Sequence, residues 1–93
     1  MGSELSEQEI QRRMMLHDCW IADKTGQPQE CVDPTEFQKA FARELRDKQL
    51  AVVSFGYSKG MVFSSITIHG FTPKGRDVYC LDGELLPAYR LDV

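Results

Sequence analysis

The stretch ITIHGFTPKGRDVYCLDGELLP, residues 66–87, decides the fold of the second half of this chain. Its centre, the run Thr72–Gly75, allows two interpretations. In the first, a helix begins here, with Thr72 as its N-cap and Pro73 in its first turn. The inward-facing side chains of that helix would be Val78, Tyr79 and Leu81. In the second, the run reverses the chain and the segment forms an antiparallel meander.

Local chemistry favours the reverse turn. Gly75 would lie in the first turn of the helix, and the β-prone run Val78–Cys80 is poor helix material. Asp82-Gly83 between two apolar runs is a strong hairpin signal. Pro87 would then confine the last strand to a sheet edge, because proline cannot donate to a ladder. The turn is therefore the favoured interpretation, with the helix as the alternative.

The N-terminal part of the chain predicts a long helix over residues 6–25. The run Ser6–Glu9 has the pattern of a capping box, in which Ser6 accepts from the Glu9 amide and the Glu9 carboxylate reaches back. Gly26 offers a left-handed C-cap, and Pro28 prevents the helix from resuming. An apolar stripe at helical spacing, expected to face the core, consists of Ile10, Met14, His17 and Ile21, widened by Leu16 and Trp20.

A second helix is predicted to begin at Asp33-Pro34, with the aspartate as an acidic cap and proline at the first helical position. It should end near Lys48 or Gln49. The inward face is predicted to be Phe37, Ala40, Phe41 and Leu45. The opposite side is predicted to hold Thr35, Gln38, Lys39, Ala42, Arg43 and Arg46. Residues 26–33, between the two helices, receive no element.

A β-hairpin is predicted beyond the helices. Residues 51–57 are β-rich, Ser58–Gly60 forms a turn with Lys59 at the tip, and the second strand begins at residue 61 and can extend to His69. The predicted fold class is therefore α+β, with two N-terminal helices followed by an antiparallel hairpin or meander. Because 93 residues support one core, residues 1–93 are expected to form a single domain.

Composition excludes several classes of protein. The chain is 42% hydrophobic and 27% charged, which is ordinary for a globular domain and too apolar for disorder. No apolar run reaches the roughly 18 residues of a membrane span, and no secretory leader is evident, so we expect a cytoplasmic protein without a membrane partner. Residues 1–5 are expected to be disordered and to include an expression-vector remnant. The three cysteines form no close pair, so we expect reduced thiols and no metal or other cofactor.

Charge is distributed unevenly along the chain. Residues 1–34 carry three basic and seven acidic groups, whereas residues 35–79 carry seven basic and four acidic groups. Residues 80–93 carry one basic and three acidic groups. A locally cationic segment within an acidic chain indicates an anionic partner.

The segments FQKAFARELRDKQLAVVSF and SSITIHGFTPKGRDVY together resemble the back half of small winged helix-turn-helix proteins of phages and mobile elements. The resemblance covers roughly residues 36–79. It implies that the second helix is a recognition helix running into a hairpin wing, and that the Thr-Pro-x-Gly run opens a closing helix. The fold would thus be winged-helix-like if residues 72–82 are helical. The residues implied to contact DNA are Gln38, Lys39, Arg43 and Arg46 on the second helix and Lys59 on the wing tip.

Two functions remain open at this point. The first is a DNA-binding regulator of phage or mobile-element origin, in which Lys39, Arg43 and Arg46 meet the phosphates of double-stranded DNA and Gln38 bonds a base edge. The second is an acidic protein-interaction module, or a phage-type inhibitor of a host protein. Pairing of two copies through an edge strand is a structural variant. An enzyme is not expected, because no motif combines an acid, a base and an orienting group.

Overall fold

The computed structural model describes residues 6–58 and 62–91 and confirms the α+β class. Two helices come first, as predicted, but a short strand lies between them, and a third helix and a small second sheet follow the hairpin. The elements are α1 Glu7–Thr25, β1 Gln29–Val32, α2 Glu36–Asp47, β2 Ala51–Ser58, β3 Val62–Phe71, α3 Pro73–Tyr79, β4 Cys80–Leu81 and β5 Glu84–Leu85, followed by a 3-10 helix over Pro87–Tyr89. The predicted disorder of residues 1–5 lies outside the described residues.

The main sheet is antiparallel, with strand order β1-β3-β2. β3 is therefore central, and it pairs with β2 across the predicted hairpin and with β1 on its other side. β1 places Cys31 opposite Ile66. This strand falls in residues 26–33, where the sequence indicated no element, because its four residues gain their hydrogen bonds only from a partner more than thirty positions away.

The predicted ends of α1 are confirmed, with one change in the cap. The Glu9 amide donates to Ser6 Oγ at 3.1 Å, and Gly26 closes the helix at φ 73°. The Glu9 carboxylate, however, accepts from Arg12 at 2.7 Å and Arg13 at 3.0 Å. These i,i+3 and i,i+4 pairs brace the first two turns.

The predicted inward face of α1 is correct only in part: Leu16 is buried as predicted, and His17, Trp20 and Ile21 are half-buried. Ile10 and Met14 are exposed, whereas the buried residues are Met15, Leu16, Cys19 and Ala22. The helix carries apolar residues on two faces, and helical periodicity alone does not indicate which of the two faces is buried. The face that packs against the sheet is the one with the small Cys19 and Ala22, which let a helix and a sheet approach closely.

The predicted start and inward face of α2 also need correction. Thr35, not Asp33, is the N-cap: it accepts from the Gln38 amide at 3.1 Å, while Gln38 Oε1 accepts from the Thr35 amide at 2.9 Å. Asp33 has φ 52° and lies before the helix. Phe41 and Leu45 are buried as predicted, but the buried alanine is Ala42 rather than Ala40, because the helix rotates Ala42 towards the sheet.

The turn interpretation of Thr72–Gly75 is wrong, since this run opens α3. The Thr72 hydroxyl accepts from the Gly75 amide at 3.0 Å and donates to the Gln49 carbonyl. The Thr72 amide donates to the Leu50 carbonyl at 3.1 Å. A Cβ on Gly75 would lie 1.7 Å from the Leu50 oxygen, so the glycine that argued against a helix is the residue that lets this helix dock.

The Asp82-Gly83 hairpin is confirmed as the connection between β4 and β5. Both residues have positive φ, 55° and 83°, as two-residue hairpins favour. Pro87 does not end an edge strand but opens the 3-10 helix. Of the side chains predicted to face inward from this region, Tyr79 is buried whereas Val78 and Leu81 are exposed.

The core lies between α1, α2 and one face of the sheet. Its buried members are Met15, Leu16, Cys19, Phe41, Ala42, Leu45, Leu50, Ala51, Ile66, Ile68, Phe71, Tyr79 and Leu85. Burying each larger side chain contributes about 1.5–3 kcal/mol. Tyr79 stacks on Phe71 at 5.7 Å and meets Tyr89 edge-on at 5.0 Å, which attaches α3 and the C-terminal segment to the core. Within the described residues, neither α1 nor any shorter helix is apolar enough over sufficient length to cross a bilayer.

Candidate nucleic-acid interface

The outward surface of α2 divides into a cationic side and a mixed side. At 100° per residue, Lys39, Arg43 and Arg46 follow one side of the helix, and Glu36 and Asp47 follow the centre of its outward surface. The Arg46 guanidinium lies 4.9 Å from the centre of the Phe55 ring on β2. The cationic side of α2 therefore faces the seam between the helix and β2.

Surface ion pairs engage two of these cations. Lys39 Nζ lies 3.1 Å from Glu36, and Arg46 Nε lies 3.1 Å from Asp47. Asp47 thus pairs with its immediate neighbour in the chain. Pairs of this kind contribute about 0–1 kcal/mol in water, so a phosphate can replace the carboxylate at little cost.

Gln38 occupies a different side of α2 from the cations. Its side-chain oxygen accepts from the Thr35 amide and lies 3.6 Å from the Cys31 sulfur on β1. The side chain is half-buried and closes the capping box of its own helix. It does not stand on the outward face that the sequence predicted. The fifth predicted contact, Lys59, lies outside the described residues.

A cleft of about 460 Å³ extends the cationic side of α2 beyond its C-terminus. It lies between the end of α2, the start of β2 and the start of α3. Its lining consists of Arg46, Gln49, Ala51, Val52, Val53, Thr72, Pro73 and Lys74. The lining thus includes two cations and no carboxylate.

Two other clefts in the described residues do have carboxylates in their lining. The cleft beside the C-terminal segment contains Glu84. The cleft between α1 and α3 contains Asp23, Asp77 and Asp82. Both of these clefts also contain cations, Arg90 in the first and Lys24 and Arg76 in the second, so what distinguishes the cleft at the end of α2 is a lining with cations and no carboxylate.

Sequence reasoning missed Lys74 as a member of this site. Lys74 is 28 residues from Arg46, and only the docking of Thr72–Gly75 on the Gln49–Leu50 turn brings the two cations to one cleft. The signal for this placement was the Thr-Pro-Lys-Gly run itself, because the helical interpretation puts Lys74 in the first turn of α3. That interpretation was the less favoured one.

A serine–histidine pair lies on the outer face of the sheet. Ser54 Oγ and His69 Nε2 are 2.9 Å apart on the adjacent strands β2 and β3. Hydrolysis would require a further group to orient the imidazole and donors to hold an oxyanion. The described residues provide no second partner for His69, and the contact serves as a cross-strand hydrogen bond.

No family model, curated protein or solved structure matches this chain.

Proposed function

We propose that this protein is a small DNA-binding regulator with a winged-helix-like arrangement. The observation that carries the proposal is the cleft at the end of α2, which contains Arg46 and Lys74 and no carboxylate. Lys39 and Arg43 continue the same cationic side along the helix. Four cations in this layout would each neutralise a phosphate of one strand, and such contacts supply most sequence-independent affinity for DNA.

The order of elements supports the winged-helix-like part of the proposal. α2 leads directly into the β2–β3 hairpin, and Thr72–Gly75 then opens α3. This is the order that the resemblance implies for a recognition helix, a wing and a closing helix. In the proposal, the hairpin lies along the DNA backbone beside α2.

The charges on α2 determine how the helix would approach DNA. Glu36 and Asp47 follow the centre of its outward surface and would repel phosphates there. Arg46 lies towards β2, against Phe55, and Lys39 and Arg43 lie between Arg46 and Glu36 around the helix. The helix would therefore approach the duplex on its β2 side, with the cleft receiving the phosphate backbone.

The test is fluorescence anisotropy of a labelled random duplex, titrated with the protein over a range of salt concentrations. Each phosphate that the protein neutralises contributes about −0.9 to the slope of log K against log salt, so four cations predict a slope near −3.6. Arg43→Ala and Lys74→Ala should each weaken binding and make the slope less steep by about one.

Lys48→Ala is the matched control. Lys48 is an exposed cation immediately after α2, paired with Glu44 at 3.3 Å, and lies on the side of the helix away from β2. Its removal should change the slope much less than Arg43→Ala does. Binding that ignores salt, or a loss with Lys48→Ala equal to that with Arg43→Ala, would contradict the proposed surface.

A further inference from the structure

A second cleft, which shares no residue with the cationic one, lies between α1 and the C-terminal segment. It measures about 300 Å³ and is lined by His17, Trp20, Glu84, Leu85, Arg90 and Leu91. This volume is at the lower end of the range for small-molecule sites, which are mostly apolar with a few placed polar groups. The size fits a ligand with a single aromatic ring.

The apolar wall of this cleft is held in place. The Trp20 indole donates from Nε1 to the Gly83 carbonyl at 2.8 Å, and His17 lies against it with ring centres 5.8 Å apart. Leu85 is buried behind the cleft, and Leu91 is exposed at its rim. A fixed indole that lines the same cleft as two leucines favours a flat apolar group, because little conformational freedom is lost on binding.

The polar wall is a guanidinium that is also fixed. Arg90 Nε donates to the Leu85 carbonyl at 2.7 Å, and the Arg90 carbonyl accepts from Arg13 at 2.8 Å. A guanidinium has five N–H donors, four of them on its two terminal nitrogens. Among the described residues these terminal nitrogens have no hydrogen-bond partner and Arg90 has no ion pair. Two parallel N–H groups without a partner can donate to the two oxygens of a carboxylate.

Glu84 is the acidic residue of the lining. Its carboxylate lies 4.0 Å from Lys24 Nζ, and its side chain is 57% exposed. The charge is therefore partly offset by a cation and screened by water. Arg90 is thus the cation of the lining that can meet an anionic ligand.

We propose that this cleft binds a small aromatic carboxylate. The carboxylate would accept from the terminal nitrogens of Arg90, and the ring would pack between Trp20 and the two leucines. The proposal does not rest on DNA binding, since it concerns the free protein and residues outside the cationic cleft.

Proton–nitrogen correlation spectra of the whole chain can test this directly, because Trp20 is the sole tryptophan and its indole N–H gives a single signal. The probes are phenylacetate and phenylacetamide, which have nearly the same shape and differ in charge. Phenylacetate should shift the indole signal and bind at least about tenfold more tightly than the amide, as a charge-assisted pair predicts. Equal binding of the two probes, or shifts that avoid Trp20, would overturn the proposal.

Two variants and a control complete the experiment. Arg90→Gln retains a donor for the Leu85 carbonyl but removes the charge, and should reduce phenylacetate binding to the level of the amide. Leu91→Glu changes an exposed side chain, so the fold is expected to persist while the new carboxylate repels the probe. Lys48→Gln removes an equal charge just beyond α2 and should bind phenylacetate as the parent chain does. Full affinity in Leu91→Glu, or in a folded Arg90→Gln, would overturn the proposal.

Discussion

Gly75 determines whether the Thr-Pro-Lys-Gly run can open a helix in this chain. Glycine in a first turn is unfavourable for an isolated helix. Here the backbone of α3 lies directly on the Leu50 carbonyl, and a Cβ on Gly75 would come within 1.7 Å of that oxygen. The contact is with backbone, which cannot rotate aside as a side chain can. The intrinsic cost of glycine is thus smaller than the gain from docking α3 on the α2–β2 turn.

Gly75→Ala is expected to lower the free energy of unfolding by about 3 kcal/mol, because α3 must shift away from Leu50. Lys74→Ala, one residue earlier and exposed, is the control and should change stability by less than about 0.5 kcal/mol. Urea denaturation followed by circular dichroism measures both. An alanine at position 75 that costs no more than the control would show that α3 does not dock as closely as described.

At the scale of the element, α1 shows that an amphipathic pattern does not specify which face is buried. One stripe of the helix runs through Met14 on its outer side and another through Met15 on its inner side. Both are apolar and both have helical spacing. Met15 is 1% exposed and Met14 is 44% exposed, so adjacent residues of the same type experience opposite environments.

The two methionines provide a matched test of this orientation. Met15→Ala should cost about 2–5 kcal/mol, since it leaves a cavity in the core. Met14→Ala should change stability by less than about 0.5 kcal/mol, because the side chain already contacts water. Thermal or urea unfolding of the two variants measures the difference. Equal losses, or a larger loss at position 14, would mean that α1 is rotated relative to the sheet.

For the whole molecule, the decisive feature is how the chain arranges its charge and its thiols around one core. The net charge is −3, yet the cleft at the end of α2 contains no carboxylate.

Cys19 lies inside the core, and Cys31 and Cys80 lie at its margin, half-buried. Burial raises the pKa of the Cys19 thiol well above its usual range, and the nearby Asp18 and Asp23 carboxylates raise it further. Burial also raises the pKa of the Cys31 and Cys80 thiols.

Thiol labelling with Ellman's reagent should therefore occur in two stages. At about pH 8 the native protein should release colour slowly from two thiols, because raised pKa values reduce the thiolate fraction, and faster as the pH rises. The third thiol should react only after denaturant unfolds the chain. Mass spectrometry of the partly labelled protein should locate the protected thiol at Cys19. Prompt reaction of all three in the absence of denaturant would contradict the buried position of Cys19.

Local signals predicted much of this fold correctly. The cap at Ser6, the glycine at position 26 and the Asp82-Gly83 turn act within a few residues of where they stand, and each occurs where the sequence indicated. β1 and the docking of α3 were not predicted, since both depend on distant partners. For the cationic site, helical spacing was enough to place Lys39, Arg43 and Arg46 along one side. Lys74 could not be placed beside them, because its position depends on residues 72–75 opening α3 and docking on the end of α2.

The sequence by itself determined the two ends of α1, the β2–β3 hairpin and the β4–β5 turn, because caps, turns and periodicity act over one to four residues. Only the tertiary structure decided which face of α1 is buried and whether Thr72–Gly75 opens a helix. It also decided that Arg46 and Lys74 share a cleft. The reason is geometric, because these outcomes depend on contacts between residues that are far apart in the chain. Gly75 and Leu50 are an example: only packing brings their backbones into contact.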